Sequence, residues 1–302
     1  MAKTERRCPL CGSGQVSPLF RKRQTDYWRC AACTFRFATP EINPNLTKTL
    51  DGYEEAYLQY LAADASDAAN FESLYRWMEA FAPLAGRRLL DVGAGSGKLV
   101  RFLRGRGVDA HGIEPSRALF DRFLAGDPAF TCATLEELRA STSRTFDIIT
   151  AFDVIEHVPD PGGFVRAVAT FLTPGGTFFV STPDVDSLAA RVFGRRWHFY
   201  YSYHLSYLGP RTLSRAAAPH ALRAIDVRHR GRLRSAAYVI RYAAEMICGI
   251  GAPRWARWFE GWYLPLNLFD TMYVALRRDQ PLGQGRPATG PGLQPPAPTF
   301  SP

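Results

Sequence analysis

The sequence predicts an α/β fold with a largely parallel central sheet, preceded by a small separate module. From residue 87 onward, short apolar runs alternate with stretches of helical periodicity, and the first run leads into a glycine-rich turn. Strands that alternate with helices in this way form βαβ units, which place parallel strands side by side. Two pairs of closely spaced cysteines near the N-terminus predict the small module.

The small module is predicted to occupy residues 1–39, and its cysteines have the spacing of a metal site. Eighteen residues separate two Cys-x-x-Cys pairs, so two backbone turns can present four thiolates to one tetrahedral ion. The predicted zinc ligands are Cys8, Cys11, Cys30 and Cys33. Because protein fills all four positions, the zinc ion should be structural and should not activate water.

The purpose of this zinc-ribbon-like module has two interpretations. Its basic residues, together with Tyr27 and Trp28, could follow a phosphate backbone and so bind nucleic acid. Alternatively, a domain with so small a core needs zinc simply to fold. The second interpretation is favoured.

The remaining segments follow from composition and periodicity. Residues 40–84 are expected to form a helical connector and residues 85–278 the α/β domain, in which 183–270 is an aromatic, irregular insertion. Residues 279–302 contain seven prolines and four glycines and are expected to be disordered. The predicted strands of the domain are residues 89–92, 108–113, 130–132, 146–152, 177–181 and 271–276, and a late helix is predicted at 211–217.

Composition and charge narrow the class of protein. With 302 residues, 46% of them hydrophobic, the chain can fill a sizeable core, which excludes a disordered protein. The net charge of +9 favours an anionic partner such as nucleic acid, a phosphate-bearing substrate or a membrane surface. No stretch resembles a signal peptide or approaches 18 uninterrupted apolar residues, so we expect a cytoplasmic protein.

The glycine-rich turn predicts a cofactor loop. It follows Asp91 at the end of the first strand, and Gly93, Gly95 and Gly97 alternate there. Glycine has no Cβ, so the backbone can turn sharply and approach a ligand closely. Dinucleotide-binding loops share this feature but read G-x-G-x-x-G, whereas Lys98 stands at the third glycine position here.

A carboxylate strengthens the prediction of a nucleotide cofactor. Glu114 lies at the end of the next predicted strand, some twenty residues past the loop. A carboxylate at that position can accept hydrogen bonds from both hydroxyl groups of a ribose.

Five motifs then follow one another in a fixed order, at residues 89–97, 112–116, 146–149, 154–161 and 172–176. In this order the sequence resembles class I S-adenosylmethionine-dependent methyltransferases. The motif at 154–161 is similar to that of quinone-biosynthesis O-methyltransferases. The N-terminal cysteine pairs are similar to those of sugar C-methyltransferases, of a group of rRNA guanine methyltransferases and of many bacterial glycan-pathway methyltransferases, so they do not identify the acceptor. The resemblance implies a Rossmann-like, doubly wound, mostly parallel sheet of seven strands, with S-adenosylmethionine as cofactor.

The resemblance also implies which residues hold the cofactor. Asp91 would lie near the methionine amino group, the glycine loop would pass the methionine portion, and Glu114 would hold the ribose. Many relatives bind adenine with an acidic residue after the third strand, and this chain departs from that pattern, so Leu135 is expected to contact the ring. The complete predicted set is Asp91, Gly93, Ala94, Gly95, Gly97, Glu114, Pro115, Leu135, Phe152 and Asp153.

Two histidines are candidate bases. The sulfonium already makes the methyl group electrophilic, so an enzyme mainly holds the acceptor in line, and a hydroxyl acceptor also benefits from a base. His157 follows the fourth strand, and the unperturbed pKa of a histidine, about 6.5, suits proton removal near neutrality. His157 could instead support the loop, while His204 could be the base, line the acceptor pocket or be structural.

The expected activity is O-methylation of a small-molecule, glycan or lipid-linked acceptor. Alternatives are RNA methylation guided by the zinc module and a non-catalytic zinc-ribbon binding protein. In the insertion, arginines and tryptophans between residues 230 and 276 could lie on a membrane as a peripheral contact, or pack as a lid over the acceptor pocket. The lid is favoured, and the sequence predicts no oligomeric state.

Overall fold

The computed structural model describes residues 6–22, 24–40, 67–244 and 253–279. The first part of the predicted connector, up to residue 66, and the predicted disordered tail from residue 280 lie outside the described residues. The predicted domain boundaries therefore stay predictions. No helix in the described part of the chain has the length and apolarity needed to cross a membrane, and the predicted cytoplasmic location stays a prediction.

The described residues form three sheets with helices between the strands. The strands are β1 (Val16–Lys22), β2 (Thr25–Cys30), β3 (Arg36–Pro40), β4 (Arg88–Val92), β5 (Asp109–Ile113), β6 (Phe130–Thr131), β7 (Phe146–Phe152), β8 (Leu172–Pro183), β9 (Ser206–Tyr207), β10 (Leu222–His229), β11 (Arg232–Ser235), β12 (Tyr263–Leu266) and β13 (Thr271–Arg278). The α-helices are α1 (Asp67–Glu79), α2 (Lys98–Arg104), α3 (Arg117–Phe123), α4 (Leu135–Ser141), α5 (Pro161–Phe171), α6 (Leu188–Phe193), α7 (Pro210–Ala217) and α8 (Ala236–Ala243). Short 3-10 helices lie at Ile155–His157, Gly194–Arg196, Ala218–His220 and Arg254–Phe259.

The central sheet has seven strands in the order β10-β13-β8-β7-β4-β5-β6. Strands β8, β7, β4, β5 and β6 are parallel neighbours, and β13 runs antiparallel to both β8 and β10. The predicted mostly parallel, seven-stranded sheet is confirmed. From β4 the chain first adds β5 and β6 on one side and then returns to add β7 and β8 on the other. Ligands of open α/β sheets bind at the carboxyl ends of strands at such a reversal.

Alternating side chains explain why the sheet is covered on both faces. On neighbouring parallel strands, Leu89 and Ile148 pack with the helices α1 and α2, whereas Leu90 and Ile149 pack with α5 and α7. Successive strand residues point to opposite faces, so continuous apolar runs require helices on each side. The doubly wound arrangement is therefore confirmed.

The N-terminal module does not stand apart from the α/β domain. Its strands β1, β2 and β3 form an antiparallel sheet that β9 extends, with Phe37 paired to Ser206. Phe35 and Phe37 are buried in the same core as Leu208 and Leu213 of the domain. The sequence indicated neither β9 nor this shared core.

Strands β11 and β12 form a hairpin sheet of their own, here called the late hairpin. It is fixed to α1 by Asn70, whose amide group donates to the Leu233 carbonyl at 3.3 Å and accepts from the Leu233 N–H at 2.9 Å. The predicted late helix and final strand are both confirmed, as α7 and β13.

Candidate active site and metal site

Two buried carboxylates lie at the carboxyl ends of adjacent strands. Asp91 on β4 and Glu114 directly after β5 are only 5% and 6% exposed. The Thr150 hydroxyl on β7 donates to Asp91 Oδ1 at 2.6 Å. Burial raises the pKa of Asp91 to about 7 and the nearby charge of Glu114 adds to this, although the Thr150 hydrogen bond opposes the shift. Asp91 is thus poised between its two protonation states near neutral pH.

Glu114 ties the glycine loop to the end of β5. The Gly95 N–H donates to Glu114 Oε2 at 2.8 Å, and the Ser116 N–H donates to Oε1 at 2.9 Å. Burial raises the pKa of Glu114, while these two backbone donors lower it. Each carboxylate oxygen keeps further lone-pair capacity for hydroxyl donors.

The loop itself is a cradle that requires glycine. Gly93 and Gly97 have φ values of 73° and 74°, in the left-handed region that side chains disfavour. A Cβ on Gly93 would lie 2.7 Å from Val154 Cγ2, and one on Gly97 would lie 2.6 Å from Phe130. Both glycines are therefore required for the backbone turn and for its close packing against Val154 and Phe130.

The other predicted cofactor residues lie at strand and helix ends around this cradle. Ala94 is in the loop, and a Cβ on Gly112 would approach it to 2.9 Å. Pro115 is exposed, Leu135 is buried at the first residue of α4, and Phe152 is half-buried at the last residue of β7. Their roles toward a cofactor stay predictions.

Asp153, directly after β7, is held by an arginine from the late hairpin. Arg232 donates from Nη1 to Asp153 Oδ2 at 2.7 Å and from Nη2 to Oδ1 at 3.0 Å, and the Ser181 hydroxyl donates to Oδ1 at 2.7 Å. Burial would raise the pKa of Asp153, but the charge and hydrogen bonds of Arg232 and Ser181 outweigh it and lower the pKa to about 2. Asp153 is therefore ionised and engaged by Arg232.

Arg232 has a site role that the sequence did not indicate. It was recognised only as one of several arginines in the insertion. Its partner Asp153 is 79 residues away in the chain, and its Nε also donates to the hydroxyl of Tyr273. The unusual φ of 58° at Asp153, a residue without glycine's freedom, was equally invisible in the sequence.

His157 ends the 3-10 helix Ile155–His157 and is oriented by one hydrogen bond. Its Nδ1 lies 2.9 Å from the carbonyl oxygen of Tyr203, which places the proton on Nδ1 and leaves Nε2 as the basic nitrogen. Burial lowers the pKa of His157, an effect that the Tyr203 carbonyl and the Asp153 charge partly oppose. The imidazole is consequently neutral and able to accept a proton at neutral pH.

His204 lies against His157, with ring centroids 4.8 Å apart, but both of its nitrogens are engaged. Its Nδ1 is 3.0 Å from the carbonyl oxygen of Phe199, and its Nε2 is 2.8 Å from the Tyr201 hydroxyl. Burial and the neighbouring His157 lower its pKa well below the ordinary value. This geometry favours the structural interpretation, in which His204 holds the aromatic segment in place.

Glu156 is a further buried acid that sequence inspection did not single out. It is 2% exposed, and burial together with the charge of Asp153 raises its pKa well above the ordinary value. The donor atoms of Glu156, His157 and His204 lie within 4.8 Å of one another. The described hydrogen bonds of the two histidines go to Tyr203, Tyr201 and Phe199, and Glu156 Oε2 is buried without a hydrogen-bond partner.

The four predicted zinc ligands lie together in the N-terminal module. Their sulfur atoms are all within 4.8 Å, with Cys8 Sγ to Cys33 Sγ at 3.5 Å and Cys11 Sγ to Cys30 Sγ at 3.6 Å. Zinc–sulfur bonds of about 2.3 Å in a tetrahedron separate the sulfurs by about 3.8 Å, close to these distances. The donor set and its geometry fit a structural zinc ion.

Two matching turns produce this tetrad. The Gly12 N–H donates to the carbonyl of Cys8, and the Thr34 N–H donates to the carbonyl of Cys30, both at 2.9 Å. Gly12 and Thr34 both have positive φ, at 70° and 65°. Each Cys-x-x-Cys pair therefore ends in the same tight turn, which points its two thiols to one centre.

A family model described as a methyltransferase domain matches residues 57–222, more than half of the chain. The chain therefore belongs to this methyltransferase family. The predicted membership of the class I S-adenosylmethionine-dependent methyltransferases is confirmed, since both the family model and the sheet order agree with it.

Two curated relatives are each named ubiquinone biosynthesis O-methyltransferase. The protein of Ralstonia nicotianae is 40% identical over 112 residues, which cover 35% of this chain and 47% of that protein. The protein of Thiobacillus denitrificans is 36% identical over 113 residues, covering 35% and 49%. The chain thus spans about half the length of the curated relatives that it matches.

A solved structure shares the fold alone. One chain of the Haloferax volcanii complex that contains the Trm112 methyltransferase activator covers 74% of this chain and 97% of its own length, with a TM-score of 0.53 and 17% identity. The late hairpin and the 3-10 helix Arg254–Phe259 lie beyond the residues that the family model matches.

We expect replacement of a tetrad cysteine to remove zinc and to destabilise the whole chain. In Cys30→Ser, zinc content should fall from about one ion per chain, and the melting temperature should drop by about 10 °C because the module shares its core with the domain. Elemental analysis and thermal melting measure the two effects. Cys132→Ser, outside the tetrad, is the matched control, and an unchanged zinc content in Cys30→Ser would contradict the site.

Proposed function

We propose that this chain transfers a methyl group from S-adenosylmethionine to a hydroxyl oxygen of a small-molecule or lipid-linked acceptor. The observation that carries the proposal is the glycine cradle beside two buried carboxylates at the strand-order reversal, with a neutral imidazole nearby. A glycan hydroxyl offers the same chemistry as acceptor.

The cradle and the carboxylates suit the two ends of the cofactor. Asp91 provides a negative charge for the amino group of the methionine portion, and Glu114 accepts hydrogen bonds from the ribose hydroxyls. Gly93 and Gly97 allow the tight turn between the two carboxylates, because their positive φ values and their close contacts with Val154 and Phe130 leave no room for a side chain. When bound, S-adenosylmethionine supplies an electrophilic methyl group, and the remaining work is positioning.

His157 is the proposed base. Its Nδ1 is fixed by the Tyr203 carbonyl, so Nε2 can receive the acceptor's hydroxyl proton as the oxygen attacks the methyl carbon. His204 has both nitrogens occupied and acts as a positioning residue that packs against the His157 ring.

Two observations support a hydroxyl oxygen of a non-RNA acceptor: the names of the curated relatives, and the packing of the aromatic residues in the N-terminal module. The curated relatives are named as O-methyltransferases, which supports oxygen as the acceptor atom. Tyr27 is 1% exposed and the Arg6 guanidinium stacks 4.1 Å above Trp28, so these aromatic rings are not free to stack on bases. This supports a structural role for the module and disfavours RNA as acceptor.

The module instead contacts the insertion after β8. Arg36 on β3 donates to the Val185 carbonyl at 3.4 Å and to the Tyr200 hydroxyl at 3.3 Å. Both partners belong to the insertion after β8. The zinc tetrad therefore holds a sheet whose last strand positions this insertion.

Incubation with radiolabelled cofactor and fractionated bacterial extract tests the proposed activity. We expect label in the small-molecule or lipid fraction, in a bond that survives mild base as an ether does. Label in the RNA fraction alone would overturn the acceptor class. Absence of binding to S-adenosylmethionine and to its demethylated product in calorimetry would overturn the activity itself.

Replacing the proposed base should slow turnover without weakening cofactor binding. With the labelled acceptor fraction, His157→Gln should lose about a hundredfold or more in turnover because no group receives the proton. Turnover of the unchanged protein should fall as the pH drops through a value below the ordinary histidine pKa, in line with the lowered pKa of His157. His204→Gln, the comparison variant, should mainly lower the melting temperature; a folded His204→Gln that alone loses turnover would reverse the assignment.

Cofactor affinity should depend on pH through Asp91. Its pKa of about 7 in the cofactor-free chain means that a cationic amino group must displace a proton at lower pH. Affinity should therefore rise as the pH increases through about 7 and fall again where the amino group itself loses its proton, near pH 8 or above. Calorimetry in buffers of different ionisation enthalpy measures the released proton.

Asp91→Asn should remove this pH dependence and weaken binding about tenfold or more. Glu136→Gln, which removes an exposed carboxylate on α4, should keep it. If the cofactor affinity of Asp91→Asn still changes with pH in the same way, another group is responsible for the pH dependence.

A further inference from the structure

The end of the insertion presents an unusually exposed apolar surface, here called the tryptophan patch. It consists of Trp255, Trp258, Trp262 and Leu264, whose exposed fractions are 51%, 81%, 67% and 47%. Tryptophan side chains are mostly buried in folded proteins, and a contiguous exposed group of this kind marks an interaction surface.

The patch is a fixed platform. The 3-10 helix Arg254–Phe259 carries two of the tryptophans and is anchored by Ala256, which is completely buried. The Phe259 ring lies edge-on between the Trp255 and Trp262 rings, at 6.2 and 6.1 Å. These contacts hold the rings while leaving Trp255, Trp258 and Trp262 exposed, and the favoured lid interpretation stays a prediction.

Basic residues accompany the tryptophans. Arg241, Arg254 and Arg257 are all exposed, and Glu260 lies among them, 3.3 Å from the Arg241 guanidinium. Among the residues that the structure describes, three guanidinium groups against one carboxylate leave this surface positive. Indole rings prefer the boundary between hydrocarbon and water, while guanidinium groups are attracted to phosphate headgroups.

We propose that the tryptophan patch binds the surface of a lipid bilayer that contains anionic lipids. The rings enter the headgroup boundary, and the three arginines pair with lipid phosphates around them. The contact is peripheral. It goes beyond the methyl transfer proposed above and does not depend on it.

The same structural unit connects this surface to the candidate active site. Strand β12, which carries Leu264, pairs with β11, and Arg232 at the start of β11 holds Asp153. The patch lies outside residues 57–222, the range that the family model matches. If the acceptor is lipid-linked, as the proposed function allows, the patch would bring the acceptor region to the bilayer.

Co-sedimentation with vesicles tests the proposal. The full chain is mixed with vesicles of phosphatidylcholine, or of phosphatidylcholine with phosphatidylglycerol, at low and at high salt. We expect pelleting with the anionic vesicles at low salt, a smaller bound fraction at high salt, and weaker binding to phosphatidylcholine alone. No pelleting with anionic vesicles at low salt would overturn the proposal.

Variants locate the contact. The pair Trp258→Ala and Trp262→Ala should lower the partition coefficient for anionic vesicles by about tenfold. A double variant with Arg254→Gln and Arg257→Gln should lower the partition coefficient by about fivefold for each arginine removed. It should also reduce the dependence of vesicle binding on salt. Leu19→Ala, at a 40% exposed leucine on β1, is the control and should bind as the unchanged chain does.

Three further outcomes decide against the bilayer. Equal vesicle binding by the tryptophan variants would exclude the patch as the contact. If light scattering shows that the unchanged chain is a dimer and that these variants are monomers, the patch is the contact with a second copy of the chain. If the unchanged chain binds an unstructured RNA oligonucleotide but no vesicles, and the same variants lose the RNA binding, the patch is a nucleic-acid site. Thermal melts and cofactor calorimetry on every variant separate these outcomes from misfolding.

Discussion

The burial of Asp91 and Glu114 is the constraint on which the rest of the site depends. Removing two carboxylates from water is unfavourable unless hydrogen-bond donors replace the lost solvent. The donors come from Thr150 on β7, from the Gly95 N–H in the loop and from the Ser116 N–H before α3. Satisfying the two acids thus fixes the relative positions of three neighbouring strands and of the glycine loop between them.

The aromatic segment after α6 joins the module to this sheet. Trp197 is completely buried, and its indole N–H donates to Asp270 just before β13 at 3.1 Å. Tyr200 packs against Tyr27 of the module, with ring centroids 5.1 Å apart. Since one short segment contacts both units, loss of the zinc tetrad would loosen the surroundings of His204 as well as the module itself.

The sequence predicted the parts of the fold in which burial, backbone conformation or metal geometry restricts the residue type at successive positions. Strands β4, β7 and β8 contain apolar runs because both faces of the sheet are covered, and α7 and β13 show clear periodicity. The glycine loop was recognisable because positive φ values restrict those positions to one residue type. The cysteine tetrad was recognisable because metal geometry restricts both residue type and spacing.

The parts that the sequence did not reveal depend on pairings between distant residues. Strand β9 has only two residues, too few for any period, and forms because β3 offers it a free edge. The occupation of both His204 nitrogens depends on how the chain folds back at Phe199 and Tyr201. The composition of the insertion suggested either a lid or a membrane face, and only the packing of Phe259 and Ala256 shows that the tryptophans are held with their rings exposed.

The ion pair between Asp153 and Arg232 makes the insertion part of the candidate site. Asp153 has a left-handed backbone conformation, which costs free energy for a residue with a Cβ and persists only where surrounding contacts enforce it. Those contacts are the Ser181 hydroxyl and the two-point hydrogen bond from Arg232. The conformation of Asp153, four positions before His157, is thus held by a hairpin that lies outside residues 57–222, the range that the family model matches.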